Sequence, residues 1–288
     1  MGFKKSLKAL ALASSLFFAL NLNSCVATSI VGKHKKGDSY QEFSKPKNRY
    51  AVLVLGAYPE DNVLEEKALK VYDGLKSLGF SDENINFLVV QNSDKVKDLA
   101  DGVFTQYTFN VVCSYLSKKM GKEDMFLFFY MGHGDYPSVE NLNKGYMLLK
   151  AVESDEFGED PSESFYVSDL EAGLEALNYE YAVFVVDACM SGGFVKPLGK
   201  KNRVGVSSSC PHQTTWLRSE FSPLLVKALN GEKSADNDGN GKVSLEEAVY
   251  YATEKDPWSK KYKGIKSWFP EPQIYYEDVD PSKVFLNE

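Results

Sequence analysis

Three side chains in this 288-residue chain have the types and spacing of a nucleophilic site: His133, Cys189 and, two residues before the cysteine, Asp187. A thiol becomes a strong nucleophile only when deprotonated, and a neighbouring imidazole is the group that achieves this near neutral pH. The chain has three histidines, His34, His133 and His212. His34 lies in a lysine-rich polar stretch and His212 in a polar loop. His133 stands between Gly132 and Gly134, directly after the apolar run Met125–Met131. Flanking glycines permit close main-chain approach, which suits a place where a substrate oxygen meets backbone N–H groups. Cys189 has a similar setting, with the small-residue turn Met190-Ser191-Gly192-Gly193 after the apolar run Tyr181–Val186. Asp187 and Cys189 are related as i and i+2, so they share one side of an extended segment. These residues alone leave two readings open: a Cys–His pair that meets at adjacent strand ends, or two strand-end residues that never touch.

A second constellation is built of oxygen donors. Residues 236–247 match the EF-hand calcium loop at every ligand position. Asp236, Asp238 and Asn240 supply side-chain oxygens at loop positions 1, 3 and 5. Gly241 makes the sharp turn, Lys242 offers its main-chain carbonyl, Ser244 stands at position 9 and Glu247 at position 12. Calcium is therefore the expected cofactor, acting as a structural staple; magnesium prefers a smaller, more rigid shell. Lys242 lacks the glycine spacing and following Ser/Thr of a phosphate loop.

The elements that must position these groups follow from hydrophobic period. Ala51–Leu55, Ile85–Val90, Met125–Met131 and Tyr181–Val186 are continuous apolar runs, the pattern of strands buried on both faces. Further strands are expected at Arg203–Val206 and Gln273–Tyr276, and a short one at Tyr146–Leu149. Helical spacing marks Leu64–Leu78, stopped by Gly79, then Val111–Leu116, Ser222–Leu229 and Leu245–Thr253. Ser168 and Glu171 have capping-box spacing before a helix through Leu177. Strands alternating with helices predict an α/β fold with a mainly parallel central sheet and helices on both faces. In such folds sites form at the carboxyl ends of strands, where His133 and Cys189 both lie. Cys113 is expected in the core.

Tyr130-Met131-Gly132-His133-Gly134-Asp135 and Val185-Val186-Asp187-Ala188-Cys189-Met190-Ser191-Gly192-Gly193 resemble the two signature blocks of caspase-like cysteine peptidases, the group that includes legumains, metacaspases and caspases. Val204–Ser209 and Gln213–Trp216 resemble that group's next strand and its trailing segment, and the likeness runs from about Arg49 to about Tyr276. The resemblance implies a caspase-like fold and a cysteine endopeptidase. It assigns Cys189 as nucleophile and His133 as base or as proton donor to the leaving amine. It also assigns the N–H groups of Gly134 and Cys189 to the oxyanion hole. Asp187 then stands where the P1 side chain binds, and Ser207 and Ser208 line the cleft. The Arg-His pair that accompanies an acid there in legumains is missing from Asp61-Asn62-Val63-Leu64. An acid with no local base favours Arg or Lys at P1. A catalytically inactive calcium-binding surface scaffold and a peptide transamidase or ligase on the same fold are the alternatives.

The chain begins with a targeting pattern. Lys4, Lys5 and Lys8 precede a mostly apolar stretch from Ala9 to Leu22, shorter than the roughly 20 apolar residues of a membrane span. Leu22-Asn23-Ser24-Cys25 then resembles a bacterial lipobox, which implies a signal peptide over 1–24, lipid on Cys25, and an extracytoplasmic protein held to a membrane. The alternative is a plain secretory signal. Residues 25–48 read as a flexible tether and 49–288 as the peptidase domain. Net charge is −7, and loss of the three leader lysines makes it −10. No basic stripe interleaves with aromatics, so nucleic acid is excluded as a partner and a peptide or protein substrate is expected. The remaining composition, 43% hydrophobic and 13% aromatic, is that of a chain with a large core.

Overall fold

The computed structural model describes residues 30–32, 45–56, 63–90, 94–135, 146–148, 164–215, 218–258 and 270–287. The apolar runs form strands because each has neighbours on both sides and helices above and below. Eight strands make one sheet: β1 (Ile30–Gly32), β2 (Arg49–Leu55), β3 (Ile85–Val89), β4 (Gly102–Val103), β5 (Met125–Met131), β9 (Tyr181–Asp187), β10 (Arg203–Ser207) and β11 (Gln273–Tyr276). Their order is β1-β11-β10-β9-β5-β2-β3-β4. The run from β4 to β10 is parallel throughout. β11 turns the sheet by pairing antiparallel with β10, and β1 follows β11 in parallel. A second, three-stranded antiparallel sheet holds β6 (Gly134–Asp135), β7 (Tyr146–Leu148) and β8 (Ser164–Tyr166).

Helices cover both faces of the large sheet. Alternate residues of the central strands, such as Leu53, Leu127 and Val185, pack against α1 (Val63–Ser77), α5 (Phe221–Leu229) and α6 (Leu245–Lys255). The intervening residues, such as Val54, Phe128 and Val186, pack against α2 (Gln106–Leu116), α3 (Val167–Leu174) and α4 (Ser191–Val195). The fold is α/β with a mostly parallel central sheet and helices on both of its faces, as the hydrophobic pattern indicates.

Several local expectations are corrected. α3 begins at Val167, one residue before the expected cap at Ser168. The side chain that closes its first turn is Asp169, which accepts the Tyr166 N–H at 2.8 Å. On α2 the buried residues are Phe109, Cys113 and Leu116, whereas Val111 and Tyr115 are 48% and 46% exposed. The ring cluster Phe104, Phe109, Phe128 and Phe165 decides which face turns inward. Ile30–Gly32, inside the segment read as a tether, is the edge strand β1.

Candidate active site

β5 and β9 are adjacent parallel strands in register, with Met131 opposite Asp187 at their carboxyl ends. The register continues one step past the strands, where the Gly132 N–H donates to the Asp187 carbonyl at 3.1 Å. His133 and Cys189 are the next residues outward, each half-buried. The chain around Gly134 lies directly on the cysteine turn. A Cβ at Gly134 would overlap the Cys189 carbonyl oxygen and stand 2.9 Å from the Ala188 Cβ. Glycine is therefore required there by the closeness of two main chains. Gly132 is held the same way, since its Cβ would meet the Tyr130 hydroxyl at 2.7 Å and the Gly56 Cα at 2.8 Å.

Tyr130 fixes the histidine. Its ring is fully buried, and its hydroxyl donates to the His133 carbonyl at 2.7 Å. Burial, and then the nearby Cys189, hold the phenol well above its ordinary range, so it remains a donor. The cysteine turn is sewn to the end of β10. Ser209 Oγ donates to the Ala188 carbonyl at 3.0 Å, and the Gly192 N–H donates to the Ser209 carbonyl at 2.9 Å. The Met190 N–H donates to the Gln213 carbonyl at 2.7 Å, and Gln213 Oε1 in turn accepts the Glu271 N–H. Met190 takes a left-handed φ of 56°, costly for a side-chain-bearing residue and held by these bonds.

The Cys189 thiol donates to the Thr215 carbonyl at 3.6 Å. Burial pushes the thiol above its usual value, and the charges of Asp187 and Asp135 add to the rise; the Thr215 bond opposes it. Burial lowers the His133 imidazole. At neutral pH the resting pair is thus thiol and neutral imidazole, the protonation states from which a base-assisted attack starts.

Asp187 is buried and accepts the Ser222 hydroxyl at 2.7 Å. Lys67, on the inner face of α1 and only 2% exposed, feels the charges of Asp187, Glu220 and Asp256. Ser207 and Ser208 end β10 beside Asp187, and both are buried with hydroxyls that have no partner, as has the Thr215 hydroxyl. Unsatisfied buried donors at one strand end are what a substrate backbone or side chain can satisfy. Cys210 is buried and disulfide-bonded, so it is not a second nucleophile, and His212 is exposed in the turn beyond it. Cys113 is buried, its thiol pushed up to about 12, and inert. Cys25, Trp216 and the leader lie outside the described residues.

In the acidic loop three carboxylates converge. One oxygen from each of Asp236, Asp238 and Glu247 lies within 4.8 Å of the others. Asp236 accepts the N–H groups of Gly239, Asn240 and Gly241, and Asn240 Oδ1 accepts that of Lys242. Gly239 and Gly241 have φ of 74° and 85°, which wrap the loop around the acids. Ser244 caps α6, and Glu247 returns the bond at 2.9 Å. Burial raises the Glu247 carboxyl, but bonds from Ser244, Asn237 and Asp238 outweigh it and keep it ionised. Lys242 lays its ammonium over the Phe285 ring, leaving its carbonyl as the loop donor. The donor set is all oxygen, and it fits a hard divalent cation.

Tyr130 and Gln213 are the site residues that sequence reasoning did not assign. Tyr130 reaches the His133 carbonyl three residues on, and Gln213 acts through long-range bonds; neither leaves a pattern in the sequence. No family model and no curated protein matches the chain.

Proposed function

We propose that the chain is a caspase-like cysteine endopeptidase with Cys189 as nucleophile and His133 as its base. The supporting observation is that β5 and β9 end in register side by side, with Gly134 pressed against the Cys189 main chain. In this reading His133 takes the thiol proton as the sulfur attacks a peptide carbonyl. The oxyanion sits at the N–H groups of Gly134 and Cys189, a pair of donors whose loss costs about 2.7–4 kcal/mol each in comparable sites. His133 then protonates the leaving amine, the C–N bond breaks, and water hydrolyses the thioester to regenerate the thiol. Met190, Ser209 and Gln213 hold the turn in place, and Ser207, Ser208 and Thr215 offer unsatisfied groups to the substrate.

Calcium belongs to the same proposal as a staple. Asp236, Asp238, Asn240, the Lys242 carbonyl, Ser244 and Glu247 would hold it. When bound it would offset most of the charge of three converging carboxylates at the entry to α6. Lipid on Cys25 would keep the domain at an extracytoplasmic membrane surface. The peptidase reading is tested with a peptidyl electrophile set carrying varied P1 residues. Intact mass and peptide mapping should find one adduct, on Cys189, absent in Cys189→Ala and strongly slowed in His133→Ala. Labelling that ignores both substitutions sinks the proposal.

A further inference from the structure

We propose that the outer face of α2, together with the turn that follows it, docks onto an anionic lipid surface. The inference does not depend on the peptidase reading, nor on lipid at Cys25. It assigns a contact of the folded domain itself, one that would set how the domain lies on a membrane.

Six large apolar or aromatic side chains are exposed among the described residues, and five of them fall between Leu99 and Tyr115. Tyr107, Val111 and Tyr115 follow one another at four-residue steps on α2, so they line one side of it. Tyr107 is 79% exposed, while Phe109, Cys113 and Leu116 fill the inner side. Val103, on the edge strand β4 just before the helix, is exposed as well. Tyrosines beside aliphatic residues suit a membrane–water boundary, where the ring enters the apolar layer and the hydroxyl stays wet. Beyond the end of α2 come Lys118, Lys119 and Lys122, all exposed. Lys119 lays its ammonium over the Tyr115 ring, 4.6 Å from the centre. None of the three forms an ion pair among the described residues, whereas Lys76, Lys95, Lys97 and Lys227 each hold an acid at 2.8–2.9 Å.

Charge decides what covers this face. The chain carries 40 acidic and 33 basic residues, yet Gly102–Lys122 holds three lysines and no acid. Met190–Lys201, which packs on the same side of the sheet through Phe194, Val195 and Leu198, also holds three lysines and no acid. Two acids of α3 on that side are already engaged, Asp169 with the Gln106 amide and Glu171 with Lys200. On the opposite side of the sheet, Ser219–Pro257 carries eight acids and four lysines through α5 and α6. The two sides thus differ in sign, and the α2 side joins exposed aromatics to positive charge. An anionic lipid layer complements both features: lysines reach the phosphates while their stems and the tyrosine rings lie along the acyl boundary. Two copies meeting through this face would turn its lysines toward one another, with no acid between Gly102 and Lys122 to receive them.

The experiment measures co-sedimentation with vesicles of phosphatidylcholine alone and with vesicles that also contain phosphatidylglycerol. The protein is the mature chain, residues 25–288, which holds every described element and carries Cys25→Ser so that no acyl group contributes. Binding is expected only to the phosphatidylglycerol vesicles and should weaken as salt rises. A lysine near an anionic surface is worth about fivefold in affinity, so Lys118→Gln, Lys119→Gln and Lys122→Gln combined should weaken binding about a hundredfold. Tyr107→Ser combined with Tyr115→Ser should weaken it too. Lys233→Gln combined with Lys255→Gln, on the other side of the sheet, should leave it within about twofold. All these side chains are exposed, so each variant should melt with the wild type. Absence of binding to either vesicle, equal binding to both, or wild-type binding by the triple lysine variant overturns the inference. Self-association lost in the tyrosine variant, with no vesicle binding, overturns it in favour of a second copy of the chain.

Discussion

Replacing Gly134 by alanine tests whether the two loops are as tightly apposed as the geometry requires. The added Cβ would overlap the Cys189 carbonyl oxygen and lie 2.9 Å from the Ala188 Cβ. Neither obstacle is the end of a flexible side chain. One is main chain, and the other is the first atom of a fully buried residue. The Cys189 turn has little room to retreat, because Ser209, Gln213 and the Gly192 N–H hold it to the end of β10. Overpacking of this kind costs about 1–3 kcal/mol of stability. A shift of the order of 1 Å between base and nucleophile costs roughly a hundredfold in rate. Gly134→Ala should therefore lower the urea midpoint by an amount equivalent to about 1–3 kcal/mol and slow labelling of Cys189 about a hundredfold. Gly121→Ala is the control, since a Cβ there meets only Asp124 Oδ2 at 3.8 Å. It should stay within about 0.5 kcal/mol of wild type, with labelling unchanged. Wild-type stability and labelling in Gly134→Ala would refute the argument, because the His133 and Cys189 loops could then not be in contact.

The remaining predictions concern charge, metal and anchoring. Burial, Asp187 and Asp135 hold the thiol above its ordinary value and burial holds His133 below its own, so the resting thiol is protonated at neutral pH. Alkylation of substrate-free enzyme by iodoacetamide should rise about tenfold per pH unit through neutrality and level off only in the alkaline range; a plateau from pH 6 upward would mean a preformed thiolate. Calcium at about a hundred times its dissociation constant should stabilise the fold by about 2.7 kcal/mol, read as a higher melting temperature that a chelator and Glu247→Gln both remove. Identical melting curves with calcium and chelator would dismiss the staple. Lipid on Cys25 predicts a mature chain that starts at Cys25 and carries the acylated mass. A mature chain in which the Cys25 sulfur carries no lipid would rule the anchor out.

What the sequence made legible was local and apolar. Ala51–Leu55, Met125–Met131 and Tyr181–Val186 read as strands because a strand buried on both faces has no polar alternation to hide it. The ends of those runs located His133 and Cys189. Their adjacency did not follow from the runs, since nothing within either segment states that β5 and β9 are neighbours in the order of the sheet. The direction of β11 was equally silent: Gln273–Tyr276 has the same composition whether it pairs parallel or antiparallel. α2 shows the opposite failure, where Val111 and Tyr115 advertise a core face and the aromatic cluster around Phe109 and Phe165 turns another face inward. Lys67 is the most instructive case. Read singly, a lysine at that position is a solvated charge. Read against its neighbours Leu64, Ala68 and Val71, it is a cation on a stripe that must face the sheet, so it requires a buried anion. Asp187, Glu220 and Asp256 are the acids whose charges act on it, and each comes from a different element, so no local pattern names them. The surroundings of a buried ion are found only by asking where its opposite charges lie across the fold.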